Sequence, residues 1–367
     1  MPDTLYIVRP TLGLGGADRV TLTLLQHLPR DLFCPTLVLM RKEGELVADL
    51  PSNVPLLTLD ARSLWTAWIP LAKLLLGNPP DILFSTSSGT NIIAALAYLL
   101  TGSSGRLVLS ERGLLRTELS WKKKFQSRLK RILYPHADRI TAVSKGVKEE
   151  LVHQLRLRPE SISVVYNPIV DANLESLAAE PVPHPWFGAE LENGRPVVLA
   201  AGRLVPEKDH ATLLRAFAEL RETHEARLVI LGDGPLRSEL EDLSCALGIS
   251  DAISFPGYDP NPFMYMSRCQ VFVLSSRFEG LPGALIQAMA CGAPVISTDC
   301  PSGPSEILEP PDSGALVPVG DTIRLAEEIK RLLDDPETRR KRGEAARVAA
   351  QRFSVDRIMN NYVEALL

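Results

Sequence analysis

Cysteine is scarce in this chain of 367 residues, and its spacing suggests no structural site. The five cysteines stand far apart, and no two of them form a C-x-x-C pair. The six histidines show neither H-E-x-x-H nor H-x-E spacing. A disulfide framework and a zinc site are therefore not expected, and a reducing cytosol is the compartment that fits best.

Long apolar runs and a net positive charge are also missing. The longest apolar run covers residues 92–100, which is too short to span a bilayer. The net charge of −4 argues against nucleic acid as the main partner. Asp3 precedes the first apolar run, so a signal peptide is not expected. With 45% hydrophobic and 23% charged residues, the chain should fold around a packed core, and its length allows two domains.

The first half of the chain alternates between short apolar runs and amphipathic segments. Predicted strands lie at residues 5–8, 36–39, 56–59, 82–84, 107–109 and 140–143. Predicted helices lie between them, at residues 17–27, 64–75, 91–100, 121–133 and 145–155. This rhythm predicts βαβ units, and therefore a mostly parallel sheet with helices on both faces.

The same rhythm starts again after residues 176–196, which are rich in proline and polar residues and are predicted to be a connector. Further strands are predicted at 197–200, 228–231, 253–255, 271–274, 294–297 and 316–318, with helices that include 210–223 and 236–247. We therefore expect two doubly wound α/β domains that face a central cleft. The domains are predicted to cover 1–168 and 169–354, with a helix at 355–367 that packs back on the first domain.

The stretch 275–307 is the most informative part of the second half. It follows a predicted strand and leads into a short helix at 284–291 through a turn formed by Glu279, Gly280, Leu281 and Pro282. Pro282 suits the first turn of a helix, because its missing N–H costs nothing there. The free N–H groups of a helix at the carboxyl end of a strand form an anion site.

The first two strands of the second domain are each followed by a loop that contains glycine. The earlier loop runs from Gly202 and Arg203 to Lys208. Two cations spaced in this way can clamp a diphosphate, since Arg offers a planar fork and Lys a mobile point charge. The later loop contains Gly232 and Asp233 and would line a cleft near a bound nucleotide. A solvated loop and a plain strand-to-helix turn are the respective alternatives.

Two motifs of the first domain are less specific. Gly15 and Gly16 open the first predicted helix, where glycine lets the backbone approach a phosphate or sugar closely. An ordinary tight turn is the alternative. Glu111 and Arg112 follow the fifth strand, where an acid and a base either face the cleft or form an internal ion pair.

Residues 121–133 form a basic amphipathic helix without an acid. One face carries Trp121, Phe125, Leu129, Ile132 and Leu133. The remainder carries six cations, which are Lys122, Lys123, Lys124, Arg128, Lys130 and Arg131. Such a helix suits an anionic membrane surface or acceptor, at about 1 kcal/mol for each cation near it. The alternative is a surface helix whose apolar stripe packs on the sheet.

Glu279 and Gln287 are separated by a turn and two predicted helical turns. Both would then face one ligand that lies along the helix N-terminus. A capping acid and an exposed glutamine are the alternatives for each residue taken alone.

Together these motifs resemble the large family of retaining GT-B glycosyltransferases. The matching pieces are the Gly15-Gly16 turn, G-R-x-x-P-E-K at 202–208, the loop 232–235, and an E-x7-E-like frame within 276–297. Their order and spacing match over nearly the whole chain. S-R-F-E-G-L-P with T-D-C-P-S-G-P is similar to a branch that builds bacterial surface polysaccharides and lipid-linked glycans. The resemblance implies two Rossmann-like domains, of which the second holds a nucleotide-sugar donor.

The resemblance also implies residue roles. Arg203 and Lys208 would bind the donor diphosphate, Glu279 would contact the donor sugar, and Gln287 would lie at the ribose. The catalytic candidates are Glu279, Arg203, Lys208 and Glu111. The further donor-binding candidates are Gly15, Gly16, Gly232, Asp233, Gly280, Leu281, Pro282 and Gln287, and the membrane or acceptor candidates are Trp121, Lys122, Lys123, Lys124 and Arg128.

The chain departs from the family pattern at two places. Gln287 replaces the second glutamate of the frame. A carboxylate accepts from both ribose hydroxyls, whereas an amide accepts from one and donates to the other. This change should weaken donor binding by about 1 kcal/mol. In addition, many relatives carry a histidine near the donor where this chain has Ser110, Glu111 and Arg112.

The implied function is transfer of a hexose or N-acetylhexosamine from a UDP-sugar to a lipid-linked or oligosaccharide acceptor, with retention of the anomeric configuration. No D-x-D occurs in the sequence, so no metal and no other cofactor is expected. The implied place of action is the cytoplasm, or the inner face of the cell membrane as a peripheral protein. The alternatives are a non-catalytic nucleotide-sugar-binding protein and an NAD-type oxidoreductase, although the full glycine fingerprint of the latter is missing.

Overall fold

The structure is a computed structural model that describes residues 1–114, 121–187, 194–310 and 312–367, with the side chains of residues 121–123 left aside. The chain divides into two compact units. Unit 1 comprises Met1–Pro168 and Val355–Leu367, and unit 2 comprises Ile169–Ser354. Each unit contains one parallel sheet, so the predicted α/β class with two Rossmann-like domains is confirmed.

Unit 1 is built on a seven-stranded sheet. In chain order, strands β1 to β7 are Asp3–Arg9, Phe33–Leu39, Leu56–Thr58, Ile82–Ser85, Arg106–Glu111, Arg139–Ala142 and Ile162–Val164. Their order across the sheet is β3-β2-β1-β4-β5-β6-β7, and the paired strands run parallel. The sequence pattern did not predict β7, because this edge strand has three residues with a serine at its centre.

Helices connect the strands of unit 1. In chain order, helices α1 to α5 are Gly16–His27, Trp68–Gly77, Ser88–Thr101, Trp121–Leu133 and Lys145–Leu155. The helix predicted at 64–75 is split into a 3-10 turn, Leu64–Thr66, and α2. Helix α5 begins where predicted, because Ser144 caps it by accepting a hydrogen bond from the N–H of Val147 at 3.2 Å.

Unit 2 is built on a six-stranded sheet. Strands β8 to β13 are Val197–Ala201, Arg227–Leu231, Ile253–Gly257, Val271–Leu274, Val295–Thr298 and Ala315–Val317. The order across the sheet is β10-β9-β8-β11-β12-β13, again with parallel pairs. The central strands β8, β9 and β11 are short apolar runs that are buried, as expected for a sheet covered on both faces.

The helices of unit 2 include one that overlaps the start of the predicted connector. Helices α6 to α13 are Leu174–Ala179, His210–Arg221, Arg237–Ala246, Phe263–Met266, Gly283–Ala290, Pro304–Ile307, Thr322–Asp334 and Pro336–Ala350. The connector prediction for 176–196 is therefore wrong over its first residues. The carbonyls of Leu177 and Ala178 accept hydrogen bonds from Asn261 and Arg268, both at 2.9 Å. These contacts hold α6 in place, and a local sequence pattern cannot show them.

The last helix, α14, spans Val355–Leu366 and belongs to unit 1. Its Tyr362 is buried and meets the ring of Phe84, on β4, edge to face with centroids 6.3 Å apart. Arg106, at the start of β5, donates to the carbonyl of Leu366 at 3.4 Å. Helix α14 therefore covers the middle of the unit 1 sheet. Across the described ranges, no helix is both long enough and apolar enough to cross a bilayer.

Candidate functional site

Two loops lie side by side at the carboxyl edge of the unit 2 sheet. Strands β8 and β11 pair in parallel, so the loops that follow them emerge next to each other. Lys208, in the loop after β8, donates from Nζ to Oε1 of Glu279, in the loop after β11, at 2.6 Å. Ser276 Oγ donates to the same oxygen at 2.6 Å. Two residues that the sequence assigns to one site are therefore in direct contact.

These two donors orient the carboxylate of Glu279. Both converge on Oε1, and within the described residues Oε2 accepts no hydrogen bond. The side chains of Lys208 and Glu279 are 22% and 11% exposed, so the pair is partly open to solvent. An ammonium group has three N–H donors, of which Glu279 takes one. The cluster thus keeps a carboxylate oxygen and further N–H donors for a ligand.

The glycines of this edge allow backbone segments to touch. Gly232, after β9, has a φ of +130°, and a Cβ there would lie 2.0 Å from the carbonyl oxygen of Gly202. A Cβ at Gly234 would lie 2.5 Å from the carbonyl oxygen of Leu204. The stem of Lys208 in turn runs 3.5 Å from the position of a Cβ on Gly202. The predicted donor-binding residue Gly232 therefore also supports the loop that carries Lys208.

Helix α10 begins beside the Glu279 cluster. Its N–H groups in the first turn have no partners within a helix, and Pro282, the residue before it, has no side-chain acceptor to offer. The preceding turn is supported by Ser302, whose Oγ donates to the carbonyl of Gly280 at 2.9 Å. Gly303 packs so closely that a Cβ there would lie 2.6 Å from Cδ of Pro282. Leu281, between them, is buried and anchors the turn.

Three further predicted site residues lie near this edge. Arg203 and Asp233 are exposed, and Gln287 is half-buried. In the part of the chain that the structure describes, neither Arg203 nor Gln287 makes a side-chain hydrogen bond or ion pair. The expected separation of Glu279 and Gln287 by two helical turns is wrong. Helix α10 begins at Gly283, so Gln287 lies only about one turn into it.

His210, which begins α7 directly behind Lys208, was not among the predicted site residues. The imidazole is 5% exposed and lies against the backbone of Gly202 and Arg203, although neither ring nitrogen makes a contact with full hydrogen-bond geometry among the described residues. Burial, together with the nearby charge of Lys208, lowers the pKa of His210 to about 4. The ring is therefore neutral at pH 7 and adds no second cation. The only sequence feature that pointed to His210 was its position directly after Lys208 and Asp209. A histidine at the start of a helix is not by itself diagnostic of a functional site.

Glu111, at the end of β5, lies in a buried polar cluster of unit 1. Its side chain is 1% exposed and pairs with Lys130 of α4, whose Nζ lies 2.8 Å from Oε1. Tyr134 also donates to Oε1, and Ser88 donates to Oε2 at 3.2 Å. Burial, together with the charge of Glu111, raises the pKa of Tyr134 well above its usual value. The internal ion pair is thus present, and the catalytic role of Glu111 stays a prediction.

Helix α4 buries only part of its predicted apolar stripe, since Leu133 is buried and Leu129 half-buried. Lys130 is buried against Glu111, so the expectation that it is a surface cation is wrong. Phe125 and Ile132, by contrast, are 48% and 63% exposed. The reason is that the carboxylate of Glu111 would otherwise be buried without a counter-charge.

An exposed strip remains along α4. Lys124 and Arg128 are exposed beside Phe125, and the ring of Trp65 lies 6.1 Å from that of Phe125, centroid to centroid. The membrane or acceptor candidates Trp121, Lys122 and Lys123 have side chains outside the described part of the structure. The described part of this face is therefore a strip of four exposed side chains, Lys124, Phe125, Arg128 and Ile132, which follow one another at helical spacings.

Gly15 and Gly16 precede and begin α1. Asp18, in the first turn, forms an ion pair with Arg9, whose side chain is buried and also donates to the carbonyl of Thr86 at 3.2 Å. A Cβ on Gly16 would meet no described atom within 4 Å, so this backbone has room for a close approach. The role of the two glycines in donor binding stays a prediction.

Models of two glycosyltransferase families match the chain. One, described as "Glycosyl transferases group 1", matches residues 186–349. The other, described as "Glycosyltransferase Family 4", matches residues 14–172. The two matches lie mainly in unit 2 and in unit 1, respectively.

Two curated relatives from Campylobacter jejuni align over nearly the whole chain. The N-acetylgalactosamine-N,N'-diacetylbacillosaminyl-diphospho-undecaprenol 4-alpha-N-acetylgalactosaminyltransferase is 31% identical, with 97% of each chain covered. A GalNAc-alpha-(1->4)-GalNAc-alpha-(1->3)-diNAcBac-PP-undecaprenol alpha-1,4-N-acetyl-D-galactosaminyltransferase is 26% identical, with 97% of this chain and 96% of its own covered.

Solved structures share the fold. HepE of Anabaena in complex with UDP has a TM-score of 0.83 at 20% identity, with 99% of each chain covered. TarM of S. aureus has a TM-score of 0.81 at 10% identity, with 100% of this chain and 99% of its own covered. At these identities the likeness shows the GT-B fold and leaves the chemistry to the site.

Breaking the Glu111–Lys130 pair should strongly destabilise the protein. In Lys130→Met the carboxylate stays buried without its counter-charge, so the free energy of unfolding should fall by about 3–5 kcal/mol. The matched control Lys341→Met removes an exposed ion pair with Glu337, 2.7 Å long, and should cost at most about 1 kcal/mol. Denaturant titration followed by circular dichroism measures both, and equal losses would contradict the prediction.

The double variant Glu111→Gln with Lys130→Met separates a structural from a catalytic role of Glu111. It removes both charges, so it should regain much of the stability that Lys130→Met loses. A folded double variant with normal activity would limit Glu111 to the ion pair. A folded but inactive one would support its predicted catalytic role.

The buried imidazole of His210 should make stability depend on pH. Its pKa is about 4 in the folded protein and ordinarily 6.5, so the unfolded chain binds the proton first as the pH falls. Its contribution is therefore complete above about pH 6.5 and is lost toward pH 4, by up to about 1.4 kcal/mol per pH unit. His210→Gln should flatten the fall in unfolding free energy between pH 7 and pH 5, relative to wild type, and exposed His136→Gln should not. Equal slopes in all three proteins would contradict this.

Proposed function

The chain belongs to the group 1 glycosyltransferases, and from that premise we propose that it moves a hexose or N-acetylhexosamine from a UDP-sugar to a lipid-linked or oligosaccharide acceptor with retention of the anomeric configuration. The contact between Lys208 and Glu279 carries the proposal. It sets a cation and a carboxylate beside the first turn of α10, at the carboxyl edge of the sheet. Doubly wound sheets bind their ligands at this edge.

In this proposal unit 2 binds the donor through its diphosphate. Lys208 offers its remaining N–H donors, and exposed Arg203 offers a planar fork that suits phosphate oxygens. The free N–H groups near Gly280–Gly283 add the partial positive charge of a helix N-terminus. Together these groups would stabilise the charge on the leaving diphosphate, without a metal ion. HepE, which has the same fold, was solved with UDP, and this supports a uridine nucleotide.

Glu279 and Gln287 would hold the sugar and the ribose. Oε2 of Glu279 would accept a hydrogen bond from a hydroxyl of the donor sugar, while Lys208 and Ser276 fix the orientation of the carboxylate. Gln287, half-buried in α10, would accept from one ribose hydroxyl and donate to the other. In a retaining reaction, the leaving phosphate would take the proton from the acceptor hydroxyl on the same face of the sugar.

The acceptor is proposed to be a glycan on a polyprenyl diphosphate, bound by unit 1. The two C. jejuni relatives, by their names, act on undecaprenol-linked glycans, and they align with nearly all of this chain. Their names also favour N-acetylgalactosamine as the transferred sugar. The oxidoreductase alternative fits less well. Asp18 stands where a dinucleotide fingerprint has its third glycine, and its carboxylate is paired with Arg9.

An acceptor with a lipid carrier places the enzyme at an anionic membrane, on its cytoplasmic face. The strip on α4 suits such a surface, since it combines the exposed apolar side chains of Phe125 and Ile132 with exposed Lys124 and Arg128. Trp65 beside Phe125 adds an aromatic ring of the type that prefers the headgroup region. Helix α4 contributes no acid to oppose the attraction.

Replacing Lys208 should abolish most of the transfer activity. Lys208→Met removes a preorganised donor to the diphosphate, so kcat should fall by about a hundredfold or more. The assay measures UDP release from a panel of UDP-sugars in the presence of polyprenyl-diphosphate glycans. Lys330→Met, which removes an exposed lysine from α12 of the same unit, is the matched control and should keep wild-type turnover. Wild-type turnover of Lys208→Met would refute the diphosphate assignment, and no release with any donor would refute the proposed reaction.

Reversing the charge on α4 should reduce membrane binding. Lys124→Glu with Arg128→Glu should weaken partition onto vesicles of phosphatidylcholine and phosphatidylglycerol by about 2 kcal/mol or more, roughly thirtyfold. The control Lys330→Glu with Arg340→Glu makes the same change of charge on unit 2 and should have little effect. Co-sedimentation measures both pairs. Equal binding of the two double variants would contradict the proposed surface.

A further inference from the structure

Arg277 has no role in the site described so far, yet it joins the two loops that carry Lys208 and Glu279. Its Nε donates to Oδ2 of Asp209 at 2.7 Å. Its backbone N–H donates to the carbonyl of Glu207 at 2.8 Å. Ser275, two residues earlier, donates from Oγ to the carbonyl of Lys208 at 2.9 Å. Three hydrogen bonds therefore connect residues 275–277 with Lys208 and the residues on either side of it in the chain.

Asp209 is the residue that directs Lys208. It has a φ of +47°, in the left-handed region that residues other than glycine seldom adopt, and so it reverses the chain between Lys208 and α7. Its side chain is 6% exposed, and Oδ2 also accepts from Oγ1 of Thr212 at 2.8 Å. A conformation of this kind persists only when the surrounding contacts impose it. The bonds from Arg277 and Thr212 are the contacts that do so.

Arg277 and Asp209, the partners in this ion pair, differ in their exposure to solvent. The Asp209 carboxylate is buried, whereas the Arg277 side chain is 55% exposed. A buried carboxylate that loses its counter-charge is strongly destabilising, so Asp209 favours conformations in which Arg277 stays paired with it. The pair therefore fixes the loop after β11, which carries Arg277, to the loop after β8, which carries Asp209.

We propose that Arg277 and Asp209 are positioning residues that hold the Lys208 ammonium group against Glu279 and thereby preorganise the diphosphate site. The proposal rests on the proposed function, because it assigns Lys208 to a diphosphate. The Arg277 side chain acts here through Asp209, while its backbone N–H bonds the carbonyl of Glu207. Loss of either side chain loosens the loop at Lys208, which the bonds to the carbonyls of Glu207 and Lys208 still hold, and loss of both side chains loosens it no further.

The test measures binding of UDP alone by calorimetry to Arg277→Met, Asp209→Asn and the double variant. Each single variant should raise Kd about tenfold, and the double variant should match the singles, as for two residues that act as one unit. Arg277→Lys keeps a cation opposite Asp209 and should regain most of the affinity. Arg340→Met removes an exposed arginine from a 2.7 Å ion pair with Glu344 in the same unit and should leave Kd unchanged.

Three outcomes would overturn the proposal. If Arg277 contacts the donor itself, Asp209→Asn alone should have little effect, or the two losses should multiply to about a hundredfold in the double variant. If the pair serves stability only, the melting temperature should fall while Kd at a temperature below the transition stays at the wild-type value.

A second measurement needs no nucleotide. Competitive acetylation followed by mass spectrometry reads how accessible the amine of Lys208 is, relative to exposed Lys330. Acetylation of Lys208 should become several-fold faster in Asp209→Asn and Arg277→Met, and it should not change in Arg340→Met. Unchanged rates would refute the positioning role. Faster rates in a protein that binds no UDP would support the positioning role and count against the proposed function.

Discussion

The ion pair between Lys208 and Glu279 is the contact on which the unit 2 site depends. It joins loops that follow two adjacent parallel strands, and it leaves one carboxylate oxygen and further ammonium donors for a ligand. The other features of this edge act around it. Gly232 lets the backbone of its loop support Gly202, and Ser302 supports the turn that leads into α10.

The two principal acids of the predicted site have opposite surroundings. Glu111 is buried with Lys130, Tyr134 and Ser88, so its oxygens already have donors inside unit 1. Glu279 is paired at one oxygen only, and the pair is partly exposed. A buried, fully paired carboxylate stabilises the position of a helix, whereas a half-paired one can exchange hydrogen bonds with a substrate. The orientation of α4 follows from the buried carboxylate of Glu111, because Lys130 on α4 must face it.

That orientation links stability to the proposed membrane surface. The burial of Lys130 turns Phe125 and Ile132 outward, next to Lys124 and Arg128. The exposed strip is thus a consequence of the ion pair inside unit 1 as well as of the amphipathic sequence. In the same way, the left-handed Asp209 directs Lys208 toward Glu279 because Arg277 and Thr212 hold its carboxylate.

The sequence by itself determined most strands of the two parallel sheets, about half of the helix bounds and the motifs around Lys208 and Glu279, because hydrophobic periodicity and turn residues act over a few positions. For Glu111 it indicated two alternatives, a carboxylate that faces the cleft and one in an internal ion pair, and it favoured neither. Only the tertiary structure decided which charges pair, that α6 extends into the predicted connector, and that His210 is buried behind Lys208. These outcomes depend on contacts between residues far apart in the chain, such as Asn261 with Leu177 and Lys208 with Glu279, which no local pattern encodes.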